Sequence, residues 1–249
     1  MPEEIFILDK KVRLLQPEGG FRTSLDSVMV AAACPAKAGD TVLDLGCGVG
    51  GASFSLGYRV NNLFITGIDI QPEYIDLAQQ NILLNNDTNR FEFFVGDIGT
   101  FRFPSMNQRV AQVLCNPPFL GAGTYTPSPD TGRATALGHE GQETELTDWI
   151  DCAFHALKNN GTLTMIHRAD HLDKIVQCLG KRFGQTEIIP LYPREGQPAK
   201  RVIVRTRKDS HAPSILHAGL TLHNADGSYT DAAERILRNG EGLNLAASP

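Results

Sequence analysis

The sequence predicts an α/β protein with a mostly parallel sheet, helices on both faces and an antiparallel edge. Two observations carry this. Short apolar runs alternate with stretches of helical period along most of the chain, with short loops between them. Toward the C-terminus the strand-like runs draw closer together, at the spacing of a hairpin rather than of a crossover.

The elements follow in order. Thr41–Gly46 (TVLDLG) is β-like and ends in glycine, and Ala52–Leu56 opens a helix. Leu63–Ile70 (LFITGIDI) is a second strand. Pro72 then sits at a helix N-terminus, and Glu73–Leu84 has helical period through Tyr74, Leu77, Ala78 and Ile82. Phe91–Asp97 is a third strand and Val110–Phe119 a fourth. Leu146–Leu157 reads as a helix capped near Thr144 or Thr147, with Trp149 on its core face. Gly161–Arg168 is a fifth strand and His171–Phe183 a helix. Thr186–Leu191, Ala199–Arg207 and Leu216–His223 are the late strands. Gly121–Gly141 is a long loop directly after the fourth strand, where loops of that length often serve function.

Composition narrows the class. With 249 residues, 41% hydrophobic and 20% charged, the chain can bury a large core. The cysteines, Cys34, Cys47, Cys115, Cys152 and Cys178, are odd in number and lack CxxC spacing, which argues against a disulfide framework and against a metal site. The N-terminus is charged from its third residue and no apolar stretch suits a signal peptide or membrane span, so a cytoplasmic protein without a membrane partner is expected. A net charge of −5 argues against a globally basic nucleic-acid binder. Residues 181–208 nevertheless hold eight basic residues against Glu187 and Glu195. That run is either a phosphate-binding patch or the solvated face of a strand.

The first strand runs into Asp44-Leu45-Gly46-Cys47-Gly48-Val49-Gly50-Gly51. Glycines permit a tight turn and close approach of backbone to a ligand. Asp69 ends the second strand about 20 residues on, where an acid meets ribose hydroxyls in nucleotide-binding βαβ units. Gly46, Gly48 and Gly51 also fit the dinucleotide fingerprint, so an NAD-binding oxidoreductase remains a minor alternative. The alternation of Gly46, Gly48 and Gly50 after Asp44 resembles motif I of the class I methyltransferases. Asp97, at the end of the third strand, matches that superfamily's acid beside the cofactor adenine. The resemblance implies a Rossmann-like seven-stranded sheet and S-adenosylmethionine as cofactor. Asp44, Gly46, Gly48, Gly50, Asp69, Ile70, Asp97 and Ile98 would then form its site.

The fourth strand ends in Asn116-Pro117-Pro118-Phe119, which resembles motif IV of the amino-methyltransferases. The lone pair of an adenine N6 is delocalised into the ring, which makes the nitrogen a poor nucleophile. The Asn116 side-chain oxygen and the Pro117 carbonyl are suited to accept its two protons, favouring a pyramidal nitrogen. The prolines stiffen the loop, and Phe119 offers a face to a flipped-out base. Asn116, Pro117 and Phe119 are therefore the candidate catalytic residues.

Further stretches resemble the bacterial valine-tRNA adenine-N6 methyltransferases, which act beside the anticodon. They are Gly19–Ser27, the Asp130–Ala134 and His139-Glu140 loop, Pro198–Val202 and Thr221–Leu237. This implies N6-methylation of adenine, with RNA, specifically tRNA, as partner. It also implies that residues 1–39 form a cofactor-proximal lid containing Arg22 and Asp26, and that 40–249 form the methyltransferase domain. Arg133, Lys200, Arg201 and Arg205 are the candidate RNA contacts. Arg22 is equally suited to pair with a surface carboxylate. His139 reads as either a substrate contact or a solvated loop residue, and His167 as either a pocket residue or a structural histidine. The rival acceptors are rRNA guanine N2 and a protein glutamine. The rival class is a non-catalytic cofactor-binding subunit, which degenerate motifs would favour and intact ones do not.

Overall fold

A computed structural model describes residues 2–18, 23–103, 109–118 and 145–245. Two strands, β1 (Glu3–Ile7) and β2 (Val12–Gln16), form an N-terminal hairpin, and helix α1 (Leu25–Ala33) follows. The central elements are β3 (Thr41–Leu45), α2 (Gly51–Arg59), β4 (Phe64–Asp69), α3 (Pro72–Leu84), β5 (Phe91–Val95) and β6 (Val110–Cys115). The later ones are α4 (Leu146–Ala156), β7 (Leu157–Arg168), α5 (Leu172–Leu179), β8 (Phe183–Arg194), β9 (Arg201–Lys208), β10 (Ile215–Leu216), β11 (Leu220–His223) and α6 (Asp231–Leu237).

The main sheet has the order β10-β8-β9-β7-β6-β3-β4-β5, with β11 also pairing β8. Every pairing is parallel except those of β9, which runs antiparallel between β7 and β8. Seven strands were expected. Among the described residues, short β10 and β11 bring the sheet to nine. The Leu216–His223 run is broken by Gly219, at φ +84° and packed so closely that a Cβ would lie 2.2 Å from the Pro190 carbonyl oxygen.

Parallel strands covered on both faces read as continuous apolar runs, and the core divides accordingly. Val42, Ile65, Phe91, Leu114 and Ile203 face one layer, with α1, α2, α6 and the N-terminal hairpin. Leu43, Leu45, Ile68, Val113 and Val204 face the other, with α4 and α5. Helix α1 was not seen in the sequence because eight of its nine residues are buried, so it has no polar face to betray a period. The predicted His171–Phe183 helix is shorter than expected. Gly180, at φ +56°, ends it, and Phe183 opens β8. The helix predicted to Leu157 ends one residue earlier, because Leu157 pairs with Val110 in the sheet.

Candidate active site at the carboxyl edge of the sheet

Leu45 pairs with Cys115 on one side and Ile68 on the other. Asn116, Gly46 and Asp69 are therefore the next residues at three adjacent strand ends. Strand order reverses between β6 and β3, and ligands of open α/β sheets bind outside such a switch point.

The glycine turn is built for close packing. Gly46 has φ +64°, and a Cβ there would lie 2.5 Å from Cη2 of Trp149, which is 6% exposed in the core. Gly48 has φ +53°, and a Cβ there would meet nothing within 4 Å among the described residues, so this part of the turn is open toward them. The turn delivers the chain to Gly50 and the N-terminus of α2, where unpaired N–H groups collect.

Asp69 is 8% exposed and accepts from Gly48 N (2.9 Å) and Gln71 N (3.0 Å). Burial raises its pKa. A carboxylate has about four acceptor positions, and with the Gly48, Gln71 and Ile70 N–H groups acting on it acceptor capacity remains for a hydroxyl donor. Ile70 beside it is 52% exposed, an apolar surface at a strand end. Asp97 is exposed just beyond β5, with Oδ1 accepting from Gly99 N (2.8 Å), and Ile98 is buried behind it. Asp44 lies deeper, 3% exposed, and accepts from Ser53 Oγ (2.7 Å). Burial pushes its carboxyl to about 7. It braces the turn from beneath.

Two supporting residues were missed in the sequence. Ser53 gives no spacing signal. Asn81 does: it falls on the core face of α3, where a polar side chain needs a reason. It is fully buried, donates to Val49 O in the glycine turn (3.0 Å) and exchanges bonds with Leu15 N (2.7 Å) and Leu15 O (3.1 Å). One asparagine thus ties the N-terminal hairpin to the turn.

On the acceptor side, Pro117 is buried and Pro118 exposed. The Asn116 Oδ1 atom is buried and has no hydrogen-bond partner among the described residues. Leaving a carbonyl oxygen so costs about 1–3 kcal/mol, and the atom retains its full acceptor capacity. On β7, His167 lies two residues past the Cys115–Met165 rung. It is 3% exposed and stacks on His171 at 4.9 Å. Burial, then the His171 charge, lowers its pKa to about 4, so the ring is neutral at physiological pH.

The basic run of residues 181–208 does not form one patch. The β8–β9 hairpin sends Lys181, Arg182, Arg207 and Lys208 to the amino edge of the sheet and Arg194, Lys200 and Arg201 to the carboxyl edge. Arg205 forms a two-point ion pair with Glu187 (2.9 and 2.6 Å) and donates to Ala33 O (3.1 Å), so its guanidinium is occupied inside the fold. Arg201 pairs with Asp26 (3.0 Å), and Lys200 is exposed. Arg22, Phe119, Arg133 and His139 lie outside the described residues. Among the described residues no cluster of His, Cys, Asp or Glu is suited to hold a metal, and no helix is long and apolar enough to cross a membrane.

The mostly parallel sheet with a glycine turn at its switch point is the architecture of a class I, S-adenosylmethionine-dependent methyltransferase. The chain belongs to the methyltransferase-domain family, whose model matches residues 36–181. The spare acceptor capacity of Asp69, the open face at Gly48 and the exposed Ile70 fit S-adenosylmethionine, the cofactor of this class. The chain is similar to the tRNA1(Val) (adenine(37)-N6)-methyltransferase of Vibrio campbellii, at 23% identity over 222 residues and 89% of each chain. It is equally similar to that of Haemophilus influenzae, at 23% over 236 residues, 92% of this chain and 95% of the relative. Among solved structures, a predicted O-methyltransferase from Agrobacterium tumefaciens superposes with a TM-score of 0.70 at 22% identity, covering 88% of this chain and 98% of that one. That likeness shows the fold.

Proposed function

We propose that this methyltransferase transfers a methyl group to the N6 amino group of adenine in tRNA. The observation that carries the reading is the buried, unpartnered Asn116 Oδ1 at the strand end beside the glycine turn. Bound S-adenosylmethionine supplies an electrophilic sulfonium methyl. Asp69 would hold the ribose hydroxyls, Ile70 and Ile98 the adenine faces, Asp97 its amino group, and the Gly46–Gly50 turn the methionine end. Asn116 Oδ1 accepts one amino proton and the Pro117 carbonyl the other. Together they draw the nitrogen toward a pyramidal form and fix its lone pair, a contribution of orientation and preorganised dipoles. The methylated ammonium is acidic and releases its proton to water. His167, near the same sheet edge, is neutral and adds no charge there.

The choice of tRNA is supported by the names of relatives that align over about nine tenths of the chain. Residues 1–39 serve in this reading as a cofactor-proximal segment whose hairpin and α1 pack into the core, with Arg22 and Phe119 completing the pocket and Arg133 and Lys200 meeting RNA. The test is incubation with labelled S-adenosylmethionine and unmodified total tRNA, followed by nucleoside mass spectrometry. The expected product is N6-methyladenosine. N2-methylguanosine, or no labelled nucleoside from a protein that binds the cofactor, would refute the adenine assignment.

A further inference from the structure

The same sheet edge carries a second concavity. Arg194, Glu195, Gly196 and Gln197 from the β8–β9 turn, Thr221, His223 and Asn224 from the end of β11, and Thr230 at the start of α6 line a cleft of about 650 Å³ with Ala225. Strands β6, β7, β8 and β11 run in the same direction, so the cleft opens on the edge that holds Asn116. Leu220, Leu191, Arg201 and Arg168 form one rung across β11, β8, β9 and β7, and β6 is the next strand. The cleft is therefore three to four strand spacings across the sheet from Asn116, about 14–19 Å, and about five residues further along the strands, about 16 Å, which together make roughly 22–25 Å.

Its floor is fixed and its rim is free. The His223 ring bonds to Pro193 O through Nδ1 (3.1 Å) and stacks on Tyr229 at 4.8 Å. Asn224 Nδ2 donates to Ser228 Oγ (3.1 Å) and Tyr229 O (3.0 Å), and Thr230 Oγ1 caps α6 by accepting from Ala233 N (3.2 Å). On the rim, Arg194 and Gln197 are exposed, and their side chains make no ion pair or hydrogen bond among the described residues. The same holds for Lys200, which ends the β8–β9 turn on the side toward Asn116. Glu195 makes the rim mixed in sign. A carboxylate disfavours a bare phosphate site but accepts from base amino groups.

We propose that this cleft receives the single-stranded RNA adjoining the methylated nucleotide, with Arg194 and Lys200 on phosphates and Gln197, Glu195 and Thr221 on base edges. The proposal rests on the RNA reading above. Single-stranded RNA is read through splayed bases hydrogen-bonded at their edges, while basic side chains on the backbone set position. The distance to Asn116 corresponds to about six to seven stacked nucleotides at a rise of 3.4 Å.

The test compares two charge reversals in the full chain, Arg194→Glu and Arg207→Glu. Arg207 is exposed at the opposite end of β9, so its reversal changes the net charge equally and elsewhere. Methyl transfer to unmodified tRNA and rRNA is followed across a salt series, with cofactor binding as the check on folding. Arg194→Glu is expected to raise the RNA KM about tenfold or more, with kcat within about twofold. It should also reduce the slope of log KM against log salt by about 1, while Arg207→Glu changes neither. Equal effects of the two reversals, or no effect of either on an active enzyme, would overturn the cleft while leaving the RNA reading intact. Wild-type protein that binds the cofactor but methylates a glutamine peptide and no RNA would overturn both.

Discussion

The guanidinium of Arg201 donates through Nε to Asp26 Oδ2 at 3.0 Å, joining strand β9 to helix α1 across 175 positions of sequence. Asp26 is 8% exposed, so the pair anchors the N-terminal segment to the sheet edge that carries the site. Loss of the arginine leaves a mostly buried carboxylate. Arg201→Ala should therefore lower stability by about 1–2 kcal/mol in thermal or urea unfolding. A double variant with Asp26→Ala should cost clearly less than the two single changes combined. Strict additivity would show that the two side chains do not interact in solution.

Asn81→Ala should cost about 2–4 kcal/mol, because it strands Leu15 N, Leu15 O and Val49 O together in a buried setting. Cofactor affinity should fall as well, since Val49 belongs to the glycine turn. Calorimetric titration with S-adenosylmethionine reads the second effect. Unchanged affinity in a folded variant would show that the turn holds its shape without the hairpin.

Asp44 makes stability depend on pH. Burial raises its folded pKa to about 7, against about 3.9 unfolded. The folded state thus binds the extra proton, and this contribution is full below pH 4 and lost as pH rises toward 7. His167, lowered to about 4 from 6.5, acts oppositely: its contribution is full above pH 6.5 and lost as pH falls toward 4. Asp44→Asn keeps an acceptor for Ser53 but removes the titration. Its melting temperature relative to wild type should therefore climb between pH 4 and 7 and then level. A constant difference across that range would show that Asp44 does not titrate there.

Much of this was legible beforehand, for physical reasons that differ by element. Strands β3, β4 and β5 were readable because each apolar run ends in a glycine or acid that the carboxyl edge requires. The hairpin β1–β2 was not, because its turn at Leu8, Asp9 and Lys10 takes positive φ without glycine or asparagine. The end of β6 was legible as a strand terminus, but the exposed or buried state of each basic residue was not. Arg205 and Lys200 look alike in sequence, yet Arg205 pairs with Glu187 and Lys200 stands on the rim. Alternation along a hairpin separates what sequence proximity groups. Asn81 was visible only as a polar residue in an apolar period, a signal that names no partner.

The most direct measurement of the central claim is the methyl-transfer rate of Asn116→Ala beside its affinity for S-adenosylmethionine. In the proposed reading Asn116 holds the acceptor, one strand from the glycine turn, so the rate should fall about 100-fold or more. The cofactor Kd should stay within about threefold. Turnover within a few-fold of wild type, at unchanged cofactor affinity, would contradict the assignment of the β6 strand end as the acceptor site.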